Sequence, residues 1–249
     1  MESASLSRET ALRHFLFSHR KARRDLRSIE ELKDAVRHEA LQGDFPVDLE
    51  VYQRLGKDPS IPILFGGSLK AKVCFLGRDL GKDEVGSGQP LIGAGGRMIR
   101  VGVYEGRHGA PPPREDKRIE SILEDVLLTN TVPYKPPGNK AYSDAIKERF
   151  RPFIEELLVD HWQGHRLISL GTEAFQWFAP YVERNRLMLF WQSETRFEED
   201  LSLELTAGKG KDALSKTITL APLPHPSPLN RRWLPLIPEL LRKRLVGQL

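Results

Sequence analysis

Three short segments carry side chains suited to chemistry. Val73-Cys74-Phe75-Leu76-Gly77-Arg78-Asp79-Leu80-Gly81 reads as a buried strand that ends in a glycine-flanked acid. Leu127-Leu128-Thr129-Asn130 ends a second apolar stretch on an amide, and Pro224-His225-Pro226-Ser227-Pro228-Leu229-Asn230 sets an imidazole just past a third. Parallel α/β sheets gather their sites at the carboxyl ends of strands. An Asp, an Asn and a His at three such ends supply a carboxylate, an amide that reads a base edge and an imidazole. Hydrolysis of a nucleobase–sugar bond needs that set. Each residue also has a plainer reading: Asp79 as a turn residue in Asp-Leu-Gly, Asn130 as a strand-terminal loop holder, His225 as a structural histidine.

The elements that must position these residues follow from pattern. The first 60 residues look helical, with a capping box at Ser28-Ile29-Glu30-Glu31 and an apolar face of Leu32, Val36 and Leu41. Strands are expected at 71–77, 126–130, 166–171 and 217–222. Helices are expected at 97–103, 117–125, 143–159, 173–183 (Thr172 as N-cap) and 231–245. Segments 81–96, 106–113 and 133–139 read as glycine- or proline-rich loops. Leu201, Leu203 and Leu205 alternate with polar residues ahead of a Gly-Lys-Gly-Lys turn, which suggests an antiparallel excursion. Strands separated by helices imply a three-layer α/β/α fold around a central, mostly parallel four-stranded sheet. With no repeat and no clear linker, residues 1–249 are expected to form a single domain, with a helical N-terminal extension over about 1–60.

Composition narrows the classes. The chain has 249 residues, a net charge of +4 and one cysteine, and a pI near 9.2. Cys74 alone forms no intramolecular disulfide and no all-cysteine metal cluster, and a reducing cytosolic or nuclear compartment fits. No apolar run reaches membrane-span length, and Met1-Glu2-Ser3-Ala4 lacks a basic region followed by an apolar stretch, so no signal peptide is expected. Basic clusters at His19-Arg20-Lys21-Ala22-Arg23-Arg24 and Arg242-Lys243-Arg244 suit solvated helix faces or a phosphate backbone. Arg231 and Arg232, just after the His-Pro-Ser segment, favour DNA contact. The other histidines show no metal-ligand spacing. The glycine-rich loop 86–96 lacks Gly-Lys-Ser/Thr and the dinucleotide fingerprint, which argues against a nucleotide cradle.

Four segments, in order, resemble the uracil-DNA glycosylase superfamily over roughly residues 71–232. Gly77-Arg78-Asp79-Leu80-Gly81 resembles the first active-site motif. Gly88-Gln89-Pro90-Leu91-Ile92-Gly93-Ala94-Gly95-Gly96-Arg97 looks like the loop that follows it in bacterial and archaeal branches. Leu128-Thr129-Asn130-Thr131-Val132 with Pro136-Pro137-Gly138-Asn139 resembles the base-recognition strand and its proline-rich loop. His225-Pro226-Ser227-Pro228-Leu229 is similar to the second active-site motif. Each motif alone is weak; together and in order they are fairly specific. The chain also departs from the pattern. It lacks the four cysteines of the iron–sulfur branches, so no cluster is expected. Leu80-Gly81 stands where the best-known branch has Pro-Tyr, whose tyrosine excludes the thymine methyl. Leu91 takes the place of the aromatic that stacks on the flipped base, with Phe75 or Tyr134 as possible substitutes.

The resemblance implies an enzyme that flips uracil out of DNA and hydrolyses its bond to deoxyribose, leaving an abasic site. Asp79 would stabilise charge on the sugar and orient water, and His225 would donate to the departing base. Gly77, Arg78, Gly81, Leu91, Ile92 and Asn130 would hold the base. Ser227, Leu229, Arg231 and Arg232 would meet the DNA, with Ser227 on a phosphate and Leu229 as the wedge. No lysine is placed to form a Schiff base, so strand cleavage is not expected. No metal or other cofactor is called for. Uracil-containing DNA is the expected partner, with no membrane; a monomer in the bacterial cytoplasm, at the nucleoid, is expected. Two rivals remain: a DNA-lesion-binding protein of this fold with weak or no catalysis, and a hydrolase of free nucleosides or nucleotides.

Overall fold

Side-chain alternation decides how the sheet is covered. In the strand Val73–Gly77, Val73 and Phe75 point to one face while Cys74 and Leu76 point to the other, and all are buried. A strand that is apolar on both faces must lie inside a sheet with helices on both sides. The computed structural model of the protein, which describes residues 27–249, shows this arrangement. Among the described residues six strands are present: β1 (Phe65–Gly67), β2 (Val73–Gly77), β3 (Val126–Asn130), β4 (Arg166–Leu170), β5 (Leu201–Ala207) and β6 (Leu214–Leu223). Their order is β1-β3-β2-β4-β6-β5. The inner four, β3-β2-β4-β6, are parallel. β1 and β5 close the two edges antiparallel.

The expectation of a four-stranded sheet is therefore corrected: the sheet has six strands and is mixed. Its parallel core is the expected one. The β5–β6 hairpin is the excursion foreseen from Leu201, Leu203 and Leu205, all of which turn inward. β1 was missed because Phe65-Gly66-Gly67 reads as loop. A side chain at Gly67 (φ +87°) would sit 2.0 Å from the Val126 carbonyl, so glycine lets this edge approach β3.

Helices α1 (Ile29–Ala40), α2 (Leu49–Arg54), α3 (Lys82–Ser87), α4 (Ala94–His108), α5 (Asp144–Glu156), α6 (Thr172–Gln176), α7 (Arg184–Gln192) and α8 (Ile237–Leu245) complete the described residues. α1 and α5 cover one face through Leu32, Val36, Phe150 and Ile154. α4 and α8 cover the other through Ile99, Val103, Leu240 and Leu241. The Ser28–Glu31 capping box forms as read, but Leu41 lies past the helix and is exposed. Other boundaries move. The loop expected at 81–96 contains α3 and the start of α4, which runs to His108 rather than Val103. Residues 120–124 make only a 3-10 turn where a helix was expected over 117–125. α6 stops at Gln176, with Gly171 rather than Thr172 as N-cap; a separate helix, α7, follows that the sequence reading did not contain. The last helix begins at Ile237, after the prolines that restrict its approach. The basic cluster His19–Arg24 lies outside the described residues. No helix among the described residues is long and apolar enough to cross a membrane.

Candidate active site

Strand register sets the site. Gly77 pairs with Asn130, and Leu170 pairs with Leu223, so four strand ends reach one level. His225 follows two residues after β6. Around these ends lies a cavity of about 180 Å³, lined by residues that include Arg78, Asp79, Leu91, Asn130, His225 and Ser227.

Asp79 is part of its lining. Its side chain is only 2% exposed, with Arg78 Nε 2.8 Å from Oδ2; Oδ1 makes no hydrogen bond to the described residues. Burial pushes the carboxyl above its ordinary pKa. The charge of Arg78 and its hydrogen bond oppose the rise, Lys147 opposes it further, and Glu173 adds to it. A buried carboxylate with one oxygen uncommitted can receive a proton or hold a water.

Asn130 is fixed by the backbone it faces. Its Nδ2 donates to the Asp79 carbonyl at 3.2 Å, and the residue is 2% exposed. Turning the amide over would set Oδ1 against that carbonyl, so the orientation is chemically determined. Oδ1 is buried without a hydrogen-bond partner among the described residues. Thr131 ties the same turn from below, its amide donating to the Gly77 and Arg78 carbonyls at 3.1 Å each and its hydroxyl to Arg78 at 2.6 Å. A methyl at Gly77 would stand 2.6 Å from Asn130 Nδ2 and 3.3 Å from Leu91 Cδ2. Leu91 thus lies over Gly77 beside the amide.

The loop carrying Leu91 is held by two buried charges. Glu84, 8% exposed, accepts from the Ile92 and Gly93 amides at 2.9 and 2.8 Å through Oε1 and from the Gly81 amide at 2.9 Å through Oε2. One carboxylate therefore clamps the loop to the turn after Asp79. Arg100 donates to the Leu91, Pro90 and Arg118 carbonyls and to Gln89 Oε1. Leu91 itself has φ +53°, a conformation that costs a non-glycine residue about 1–3 kcal/mol and persists only where its surroundings impose it. Gly96 leaves room for it: a side chain there would meet the Leu91 backbone at 2.1 Å.

His225 begins a turn that Asn230 closes, its Nδ2 donating to the His225 carbonyl at 3.1 Å. The amides of Ser227 and Asn230 donate within the turn at 2.8 Å each. A side chain at Gly171 (φ +87°) would come within 2.8 Å of His225 Cβ, and one at Gly95 within 2.1 Å of the Pro226 carbonyl. Glycines thus let this turn close on the cavity. His225 is exposed as a whole, but the desolvation of its ring by the surrounding turn, and secondarily the charge of Arg78, lower the imidazole below its ordinary pKa.

The structure thus brings Gly77, Arg78, Asp79, Leu91, Asn130, His225 and Ser227 to one cavity. Gly81 and Ile92 do not line it and serve as donors to Glu84. Leu229, Arg231 and Arg232 lie outside it on the surface; Leu229 is 92% exposed and Arg232 rests over the Trp233 ring. Neither substitute aromatic reaches the cavity. Phe75 is fully buried in the core, and Tyr134 packs on Phe45 and Phe150 with its hydroxyl donating to Ser60. Sequence reasoning assigned no part to Arg100, Thr131, Gly171 or Asn230. Only the glycine carried a local signal, directly after an apolar strand. Among the described residues no group of three or more His, Cys, Asp or Glu could hold a metal ion.

A comparison with curated proteins finds no match. The family model of the uracil DNA glycosylase superfamily matches residues 65–245, a span that runs from β1 to the end of α8 and includes every strand and the whole cavity. Placed on that span, the acid, the amide and the imidazole at neighbouring strand ends belong to a DNA glycosylase domain, and the chain is a member of the uracil DNA glycosylase superfamily.

Proposed function

We propose that the protein is a monofunctional uracil-DNA glycosylase that takes the base out of the helix and hydrolyses its N-glycosidic bond. The orientation of Asn130 carries this reading. With Nδ2 committed to the Asp79 carbonyl, the amide offers an acceptor, Oδ1, beside its remaining Nδ2–H donor. Uracil presents the complement, a donor at N3 and an acceptor at O4. Cytosine presents the reverse. The cavity of about 180 Å³ is smaller than the ~300–1,000 Å³ of drug-sized ligand sites and suits one pyrimidine ring, with Leu91 as its apolar wall.

The chemistry follows from charge. As the C1′–N1 bond breaks, its electron pair leaves with the base and positive charge grows on the sugar. The Asp79 carboxylate stabilises that charge and positions water; the water oxygen bonds C1′, its proton passes to the carboxylate and then, through solvent, to the departed base, which restores the carboxylate. His225, at the rim of the cavity, can donate a hydrogen bond to the oxygen where the base accumulates negative charge. Ser227 would grip a flanking phosphate, Leu229 would fill the gap left by the extruded base, and Arg231 and Arg232 would meet the backbone. Products are free uracil and an abasic site, from a monomer that needs no cofactor.

The test is excision from otherwise identical oligonucleotides carrying uracil, cytosine or thymine, by wild type and Asn130→Asp. Uracil is the expected wild-type substrate, and Asn130→Asp should lose activity or shift towards cytosine. Unchanged uracil selectivity in the variant would sink the role of the amide.

A further inference from the structure

Arg78 stands where the chemistry has least use for a cation. Among the described residues it is the one cation within ion-pair distance of Asp79, with Nε 2.8 Å from Oδ2. Its charge also acts on His225. The reaction needs Asp79 as an anion facing positive charge on the sugar, and a guanidinium held against the carboxylate cancels part of that attraction. The two other nearest charges that act on Asp79, Lys147 of α5 and Glu173 of α6, are opposite in sign and pair with each other. Arg78 therefore sets the balance at the acid.

The two partners differ in their access to solvent. The Asp79 side chain is 2% exposed, whereas that of Arg78 is 33% exposed, and both line the cavity. The Arg78 backbone is pinned, because the Thr131 amide and hydroxyl both donate to its carbonyl. Any movement is therefore confined to the side chain, a flexible stem that ends in a planar fork of five N–H donors. A nucleotide whose base fills the cavity and whose C1′ faces Asp79 carries its two phosphodiesters only a few covalent bonds from that atom. A phosphate anion thus arrives at the cavity mouth where Arg78 is exposed. The guanidinium fork matches phosphate oxygens bidentately, so the phosphate competes with Oδ2 for it.

We propose that Arg78 is a latch: paired with Asp79 in the free protein, it turns onto a phosphodiester of the extruded nucleotide when DNA binds and leaves the carboxylate unpaired beside C1′. The latch rests on the glycosylase reading of the cavity and makes Arg78 a positioning residue. A free nucleoside, with no phosphate to offer, leaves it closed. Dissociation constants are measured by fluorescence anisotropy for oligonucleotides with a central 2′-fluoro-2′-deoxyuridine, which resists hydrolysis. The 5′ or the 3′ phosphodiester of that nucleotide is replaced by an uncharged methylphosphonate. Wild type should lose about 10- to 150-fold in affinity at one of the two linkages, the value of a hydrogen bond to a charged group. Arg78→Met should bind the parent oligonucleotide as weakly as wild type binds that analogue, with no further loss on the analogue. Arg78→Lys, which keeps the charge without the fork, should recover part of the dependence. In excision, Arg78→Met should raise KM and leave kcat nearly unchanged above the acidic limb, because bound wild type no longer pairs Arg78 with Asp79. The acidic limb of kcat/KM should differ between the two proteins, while that of kcat, which reports the bound state, should coincide; a permanent ion pair would separate both. Wild-type affinity indifferent to both linkages, or Arg78→Met as sensitive to them as wild type, would overturn the latch. If the linkage dependence and its loss in Arg78→Met stand while no base is released from any oligonucleotide, the glycosylase reading fails and the phosphate contact survives.

Discussion

Glu84→Gln separates a clamp from a catalyst. The Glu84 carboxylate accepts three backbone N–H groups, from Gly81, Ile92 and Gly93, at 2.8–2.9 Å. A glutamine keeps one acceptor oxygen and turns an NH2 towards whichever N–H faced the other. Hydrogen bonds to a charged group contribute about 1.5–3 kcal/mol, and a buried donor left unpaired costs ~1–3 kcal/mol. Losing one bond and weakening two costs roughly 2–4 kcal/mol on this basis. At about 2–4 °C per kcal/mol for a chain of this size, Tm should fall by about 4–16 °C. Because the clamp joins the turn after Asp79 to the loop of Leu91, excision should fall about 10- to 100-fold, in parallel with the loss of structure. Calorimetry and single-turnover excision on the same preparation decide it. A loss of about a thousandfold in rate with unchanged Tm would show that Glu84 acts on the reaction itself. No change in either would refute the clamp.

Four further expectations follow from the same geometry. Gly77→Ala puts a methyl 2.6 Å from Asn130 Nδ2 and should cut excision of uracil about 10- to 100-fold, the value of a hydrogen bond or two misplaced, with a small change in Tm; wild-type kinetics would show that the amide has room to move. Burial raises the Asp79 pKa and Arg78 opposes the rise, so the acidic limb of kcat/KM should lie above the ordinary aspartate value and move higher still in Arg78→Met; a limb that stays put in the variant contradicts the ion pair. Charging a carboxyl whose folded pKa is raised costs stability above that pKa, and the cost vanishes below the unfolded value; Asp79→Asn should therefore be more stable than wild type at pH 7, with the gain shrinking as pH falls towards 4 in thermal melts. Leu229→Ala, at a 92% exposed position, should leave Tm unchanged and weaken excision from duplex more than from single strands, by about 5- to 100-fold, since flipping costs a few kcal/mol.

The chemistry-bearing residues were legible because strand ends are. Buried runs such as Val73–Gly77 and Val126–Asn130 announce parallel strands, and the polar residue that terminates each one stands out against them. Local sequence could not show what holds those ends. Glu84 reaches backbone donors eight and nine residues away, and Arg100 reaches carbonyls as far off as Arg118. Neither pairing has a periodicity. β1 was hidden because its two glycines serve close approach to β3 and carry no strand propensity. α7 was hidden because Arg184–Gln192 buries only Leu187, so its sequence shows little of the apolar stripe by which amphipathic helices are recognised. The loss of the stacking aromatic was visible at Leu91, but its positive φ depends on Arg100 and Gly96 and emerges only in three dimensions.

The central claim is hydrolysis of uracil from DNA by a buried Asp79. The direct measurement incubates wild type and Asp79→Asn with labelled uracil-containing oligonucleotides, single- and double-stranded, and then applies alkali. Thermal melts of both proteins confirm that each is folded. Alkali-labile product from wild type alone is the predicted result, with Asp79→Asn still binding the oligonucleotide. Equal product from both proteins would contradict the role of Asp79, and no product from a folded wild type that retains DNA binding would replace the glycosylase with a lesion-binding protein of the same fold.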